Sequence, residues 1–138
     1  MEIAALLHDI GKLSIPNSIL DKNGKLTPDE MQIMRSHTYY TRFILSKIEG
    51  FEEITEWASN HHEKLNGRGY PLGLVADELS LESRIMAICD IYEALTADRP
   101  YRAGMRPEDA FKIIETMIEA GEVCNKAFNI VKHALLEI

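Results

Sequence analysis

Apolar residues along this chain recur at spacings of three and four almost throughout, and no stretch alternates long enough to read as a strand, so the pattern predicts an all-α fold. Residues 2–8 read as the last turns of a helix that closes near Gly11, a residue suited to the left-handed C-cap conformation. Ile15-Pro16 opens a short helical segment to Leu20, and Asp21-Lys22-Asn23-Gly24 is a turn by composition. Thr27, Pro28 and Glu30 together make a helix start, with Thr27 as N-cap and Glu30 at the capping-box position. Met31, Ile33 and Met34 then face inward by spacing, and a break near His37 precedes a helix from about Tyr39 to Ile48 with Phe43, Ile44 and Ile48 on one side. Gly50 ends that helix, and residues 52–62 form the next, with Ile54, Trp57, Ala58 and His61 sharing a face.

Residues 63–80 change character to Gly, Pro and charge, which predicts a long structured loop of the kind that usually carries function, with Gly67 and Gly69 suited to positive φ and Pro71 stiffening the exit. Helical spacing returns from Leu81 to Thr96, from Pro107 to about Ala120 with Gly121 as the stop, and from about Asn125 onwards. Asp90 lies among the apolar positions of the helix from Leu81. A carboxylate in that setting needs a cation or a hydrogen-bond network. The expected architecture is one all-α domain, residues 1–138, whose ligands sit on several helices around a central site.

Composition narrows the function. With 138 residues and 46% apolar content the chain can bury a core, and it has no apolar run long enough to span a membrane. MEIAALL is too short and lacks the basic start of a secretory signal, so a cytoplasmic location is expected. Cys89 and Cys124 have no metal or framework spacing and read as reduced structural thiols. A net charge of −7 argues against binding a nucleic-acid polymer, so a phosphate-ester substrate would need bound cations to supply a positive field.

The candidate chemistry follows one order along the chain: His8-Asp9, His37, His61-His62 and Asp90. Four of the five histidines belong to this set, and only His133 falls outside it. Imidazole nitrogens mixed with carboxylates suit borderline divalent metals such as iron, manganese or zinc, which points to a metal-dependent hydrolase.

HDIGK at 8–12, His37, HHEKLNGRGYP at 61–71 and CDIYEALTADRPYR at 89–102 together resemble the HD-GYP family of HD-domain phosphohydrolases, over about residues 3–105. The resemblance implies an HD-domain helical bundle that binds two or more divalent ions, commonly iron or manganese, and hydrolyses cyclic di-GMP to a linear dinucleotide or GMP in bacterial signalling. It implies His8, Asp9, His37, His61, His62 and Asp90 as metal ligands, with Asp9 bridging two ions. Lys12 would act on the phosphate beside Asp9 in the reaction, and Arg99 and Arg102 would bind substrate phosphates. The Gly69-Tyr70-Pro71 loop would contact a cyclic-di-GMP-synthesising domain or pack on its own helices, and Glu63 would orient an imidazole or cap the loop.

Two departures modify this picture. Asn66 stands where the family usually has aspartate, with a structural consequence expected. The family also carries His or Glu side chains upstream of the HD pair, whereas seven residues precede His8 here. The resemblance therefore implies a first helix lacking part of its length, a weakened first metal site, and a fragment or output domain of a longer signalling protein. The alternatives are an HD-domain hydrolase of another nucleotide, or a catalytically weakened module that keeps its metal and binds cyclic di-GMP or a protein partner, possible oligomers included.

Overall fold

The computed structural model describes residues 1–138 and is helical, without strands. In chain order it forms α1 (Glu2–Leu7), a 3₁₀ turn (Ile10–Ser14), α2 (Asn17–Leu20), α3 (Pro28–Arg35), α4 (His37–Leu45) and α5 (Glu52–Ser59). A second 3₁₀ turn (Ala76–Glu78), α6 (Leu81–Thr96), α7 (Pro107–Glu119) and α8 (Asn125–Leu136) complete it.

The start of α3 forms as its sequence predicts. The Glu30 amide donates to the Thr27 hydroxyl at 3.2 Å, the Glu30 carboxylate accepts from the Thr27 amide at 3.0 Å, and Pro28 occupies the first turn. The inward face expected for Met31 and Ile33 does not. Both are exposed and α3 buries no residue fully, because it lies on the outside of the bundle.

The buried stripe of α4 also differs from the expected Phe43, Ile44 and Ile48. It is His37, Thr38, Thr41 and Leu45, a mostly polar face, while Phe43 and Ile48 are exposed. Thr41 explains the choice. Its hydroxyl accepts from the Gly11 amide at 2.9 Å and donates to the His8 carbonyl at 3.2 Å, tying the HDIGK turn directly to α4.

Gly11 makes that approach possible in a way the sequence reading misassigns. It does not adopt a left-handed φ; it is buried inside the first 3₁₀ turn. A Cβ there would collide with the His37 carbonyl oxygen and the Thr41 amide nitrogen. The glycine is needed for close packing and not for a cap.

Two apolar clusters flank the chemistry. Ala4, Leu45 and Ala58 join α1, α4 and α5, with Leu7, Ile54 and Trp57 against them. Ile88, Phe111, Ile114, Ala127, Phe128 and Val131 join α6, α7 and α8. Helix α5 packs against α1 and α4 on one side and α6 on the other, which links the two clusters. Gly121 (φ 74°) follows the end of α7 in the left-handed conformation, as the sequence predicts, whereas Gly50 (φ 86°) lies in the turn before α5, because α4 already stops at Leu45.

Candidate metal centre

Three of the site histidines are aimed by the ends of helices. The Nδ1 atom of His8 lies 2.6 Å from the Ala5 carbonyl, that of His37 2.7 Å from Met34, and that of His61 2.7 Å from Ala58. These carbonyls belong to the last turns of α1, α3 and α5, where carbonyl oxygens lack partners within the helix. A carbonyl only accepts, so each Nδ1 carries a proton and each ring turns its Nε2 towards the cluster. His61 and His62 lie in the turn after α5 and not inside the helix as expected, because α5 stops at Ser59.

The Nε2 atoms converge on two carboxylates. Asp9 Oδ1 lies 3.2 Å from His37 Nε2 and 3.6 Å from His61 Nε2. Asp9 Oδ2 lies 3.3 Å from His8 Nε2 and 3.1 Å from the Lys12 ammonium. Asp90, from the middle of α6, offers Oδ1 to His8 at 3.4 Å and Oδ2 to His62 at 3.8 Å. All six residues singled out as ligands are thus brought to one place, with His37 and His61 at 4% and 2% exposure.

This arrangement fits a cation better than it fits itself. His37 Nε2 and His61 Nε2 are buried without a hydrogen-bond partner, although a carboxylate oxygen lies beside each. Lone pairs set against an anionic oxygen repel, and buried unpaired polar atoms are costly. A divalent ion between them removes both penalties. Ligand atoms of His37, His61 and His62 lie within 4.8 Å of one another, as do those of His8, Asp9 and His61. His61 sits with the first group, since its nearest carboxylate contact is the Asp9 oxygen that also faces His37. His37, His61 and His62 with Asp9 Oδ1 thus form one group of donor atoms, and His8 and Asp90 with Asp9 Oδ2 another.

The loop after the histidine doublet is locked to it. Glu63 is buried, and its carboxylate accepts from the amides of Leu72 at 2.6 Å and Leu74 at 2.9 Å, so it caps the loop and does not orient an imidazole. Gly67 has the left-handed φ of 77° that the sequence suggested for this loop, whereas Gly69 has none. Gly69 is required because a Cβ would strike the backbone of His62, Glu63 and Lys64. Tyr70 turns inward, its ring stacked on His62 with centroids 5.0 Å apart and planes at 17°. Asn66 stays away from the cluster, its side-chain oxygen accepting from the Arg68 amide at 3.0 Å, which is the structural role expected of it.

A cleft of about 620 Å³ opens over the cluster, walled by His8, Asp9, His62 and Asp90 with Lys12 and Arg99 among its cationic residues. Arg99 is held by Glu93 at 3.3 Å. Arg102, grouped with it on sequence, is used elsewhere: its guanidinium donates to the carbonyls of Ala94 at 2.6 Å and Leu95 at 3.4 Å, closing the end of α6. Cys89 is exposed on the cleft wall, and only Cys124 is buried as a structural thiol would be. His133 pairs with Glu137 on the surface, 2.9 Å away and apart from the site.

The sequence profile of the HD domain matches residues 1–121. The chain belongs to the HD-domain family. Its HDIGK and GRGYP segments put it in the HD-GYP branch. It is similar to 3'3'-cGAMP-specific phosphodiesterase 3 of Vibrio cholerae, with 51% identity over 112 residues, which is 81% of this chain and 24% of that protein. It is similar also to 3'3'-cGAMP-specific phosphodiesterase 1 of the same organism, with 40% identity over 94% of this chain and 30% of the relative. A cyclic di-GMP phosphodiesterase of Thermotoga maritima shares 41% identity over 85% of this chain and 32% of its own length. This HD domain thus spans about a quarter to a third of these relatives. Divalent metal binding goes with the family, and no helix is long and apolar enough to cross a membrane.

The electrostatics of this HD domain set how a metal enters. Burial opposes the ionisation of Asp9 and is outweighed, with the charges on His8 and Lys12 among the causes, so its carboxyl lies far below the usual carboxylate range. Burial likewise opposes the ionisation of Asp90 and is outweighed, chiefly by His8. His8 itself is raised to about 9, first by its hydrogen bond to Asp90. His62 is lowered to about 3, first by burial and then by the neighbouring His61. At neutral pH a metal arriving at His8 Nε2 must therefore displace a proton, while His62 is already neutral.

The expected sign follows from linkage. Affinity for the ion beside His8 rises by about tenfold per pH unit from neutrality towards pH 9 and levels above it, because the competing proton leaves only there. Calorimetric titration with Mn²⁺ in two buffers of different ionisation enthalpy should show about one proton released at pH 7. Affinity that is flat from pH 6.5 to 9 contradicts this.

Proposed function

We propose that this HD domain is a metal-dependent phosphodiesterase acting on a cyclic dinucleotide, and that it works as an output module of a longer signalling protein. The single observation that carries the reading is the pair of buried, partnerless Nε2 atoms of His37 and His61 aimed at the carboxylate of Asp9. His8, Asp9, His37, His61, His62 and Asp90 would hold two divalent ions, iron or manganese being suited to this mixed imidazole and carboxylate set. When bound, such a pair supplies Lewis acidity towards a phosphodiester and an activated water.

The chain's own residues do the rest. Asp9 keeps its charge and turns one oxygen to each half of the cluster. Lys12 is half-exposed at the cleft with its ammonium 3.1 Å from Asp9, so it can balance charge on a non-bridging phosphate oxygen or give a proton to the leaving 3' oxygen. Arg99 can turn from Glu93 to a phosphate, an exchange of one exposed anion for another. The cleft volume lies within the range of small-molecule sites. Because Tyr70 faces His62, any partner domain would meet the outer side of the Gly69-Tyr70-Pro71 loop, near the exposed Leu72.

The arginines separate two kinds of role. Arg99→Ala should weaken substrate binding by about 10- to 100-fold, the loss of one charge-assisted phosphate contact, with metal content and melting temperature unchanged. Arg102→Ala should lower the melting temperature and affect binding less, since it uncaps α6. Equal affinity for Arg99→Ala and the parent assigns Arg99 to its Glu93 pair alone.

The function is tested by incubating the Mn²⁺- or Fe²⁺-loaded chain with cyclic di-GMP and with 3'3'-cGAMP and separating the products. Linear dinucleotide or mononucleotide from either substrate, abolished by a chelator, is the expected result. Binding of either without turnover would leave a receptor module, and would overturn the enzymatic reading.

A further inference from the structure

His62 stands apart from the other site histidines. His8, His37 and His61 each have a ring nitrogen hydrogen-bonded to the backbone carbonyl three residues earlier. His62 has no such carbonyl, and its polar neighbour is Asp90 at 3.8 Å. What lies flat against its ring is Tyr70, nearly parallel at 17°. His61 and His37 touch the same ring at 49° and 84°, so they meet it obliquely.

The Tyr70 ring is held in turn. Gly69 lets the backbone close on the His62–Lys64 segment, and the Tyr70 amide donates to the His62 carbonyl at 3.1 Å. Glu63 fixes the far side of the loop through Leu72 and Leu74. The Arg35 guanidinium from the end of α3 lies over the Tyr70 ring, 5.4 Å from its centroid.

We infer that Tyr70 is a positioning residue for His62: the Arg35–Tyr70–His62 stack does for this imidazole what a helix-end carbonyl does for each of the other three. The inference rests on the metal reading above and deepens it. An imidazole without an orienting hydrogen bond is free to rotate about its side-chain bonds, and a ligand that must be ordered on binding binds more weakly. The stack removes that freedom beforehand through the face of the ring, so the Tyr70 hydroxyl is not needed. Arg35 adds rigidity by holding the tyrosine from outside the site.

The test is Co²⁺ titration of the full chain, following the visible d–d absorption, for the parent, Tyr70→Phe, Tyr70→Leu and Arg35→Gln. The parent is expected to take up two ions per chain. Tyr70→Phe should match the parent in affinity and spectrum. Tyr70→Leu should lose about 10- to 100-fold in affinity for one ion only, the typical effect of removing a group that orients a ligand, with an altered band for that ion. Arg35→Gln should shift in the same direction by less. Melting of the metal-free variants shows that each is folded, and Tyr70→Phe serves if Tyr70→Leu is not: a phenylalanine variant with weakened affinity and a changed band overturns the inference by itself. A parent that binds two ions beside a Tyr70→Leu variant that binds both as tightly overturns the inference alone. A parent that binds no cobalt overturns the metal reading and the inference together.

Discussion

Asp9→Asn is expected to abolish hydrolysis and to cost at least about 100-fold in affinity for both ions, beyond the effect of losing a group that only orients a ligand. Asp9 faces both halves of the cluster at close range, with Oδ1 beside His37 and His61 and Oδ2 beside His8 and Lys12. An amide of the same shape keeps one oxygen and replaces the other with an N–H₂ group that donates and cannot ligate. Whichever way it turns, one half of the cluster loses its anionic oxygen and the total charge offered to two cations drops by one. Metal analysis after dialysis, with a hydrolysis assay on the same sample, measures both effects. A variant that keeps two ions and hydrolyses within tenfold of the parent would remove Asp9 from the bridging role.

Gly11→Ala should be the most damaging of the small substitutions. The Cβ has no space between the His37 carbonyl and the Thr41 amide, both backbone atoms that a rotamer change cannot move. The first 3₁₀ turn must then shift away from α4, breaking the Gly11–Thr41 and Thr41–His8 hydrogen bonds and drawing Asp9 away from His37. Forcing extra atoms into a packed contact costs about 1–3 kcal/mol and more where backbone meets backbone. Thermal denaturation in chelator should show a melting temperature lower by several degrees. Metal affinity should fall as well, although no ligand has been changed. A Gly11→Ala chain that melts with the parent and keeps its metal would mean that the HDIGK glycine serves the backbone of its own turn only.

Much of this was legible in the sequence. Helices α3, α5, α6, α7 and α8 follow from apolar spacing, from Thr27, Pro28 and Glu30 at one start, and from Gly121 at one end, all of them local signals. The six site residues were legible as a chemical set, since histidines and aspartates in that order have few other uses. What was not legible depends on which backbone touches which. Gly11 and Gly69 read as residues for positive φ, and the structure shows that each instead makes room for a neighbouring backbone. The buried stripe of α4 is polar because Thr41 bonds to the HDIGK turn, and hydrophobic periodicity is blind to that face. Arg99 and Arg102 sit in one charged run, yet only Arg99 reaches the cleft because Arg102 closes α6. Tyr70 reads in the sequence as either a partner contact or packing, and its stacking on His62 depends on the inward turn of the loop, which no local signal gives.

The central claim is that these six side chains hold two cations on either side of Asp9. It is tested most directly by anomalous diffraction from Mn²⁺-soaked crystals of this chain, collected on both sides of the manganese absorption edge. Two anomalous peaks are predicted, one ligated by His37, His61, His62 and Asp9 Oδ1, the other by His8, Asp90 and Asp9 Oδ2. Peaks that lie away from this cluster, or manganese in the cleft that Asp9 does not touch, would contradict it.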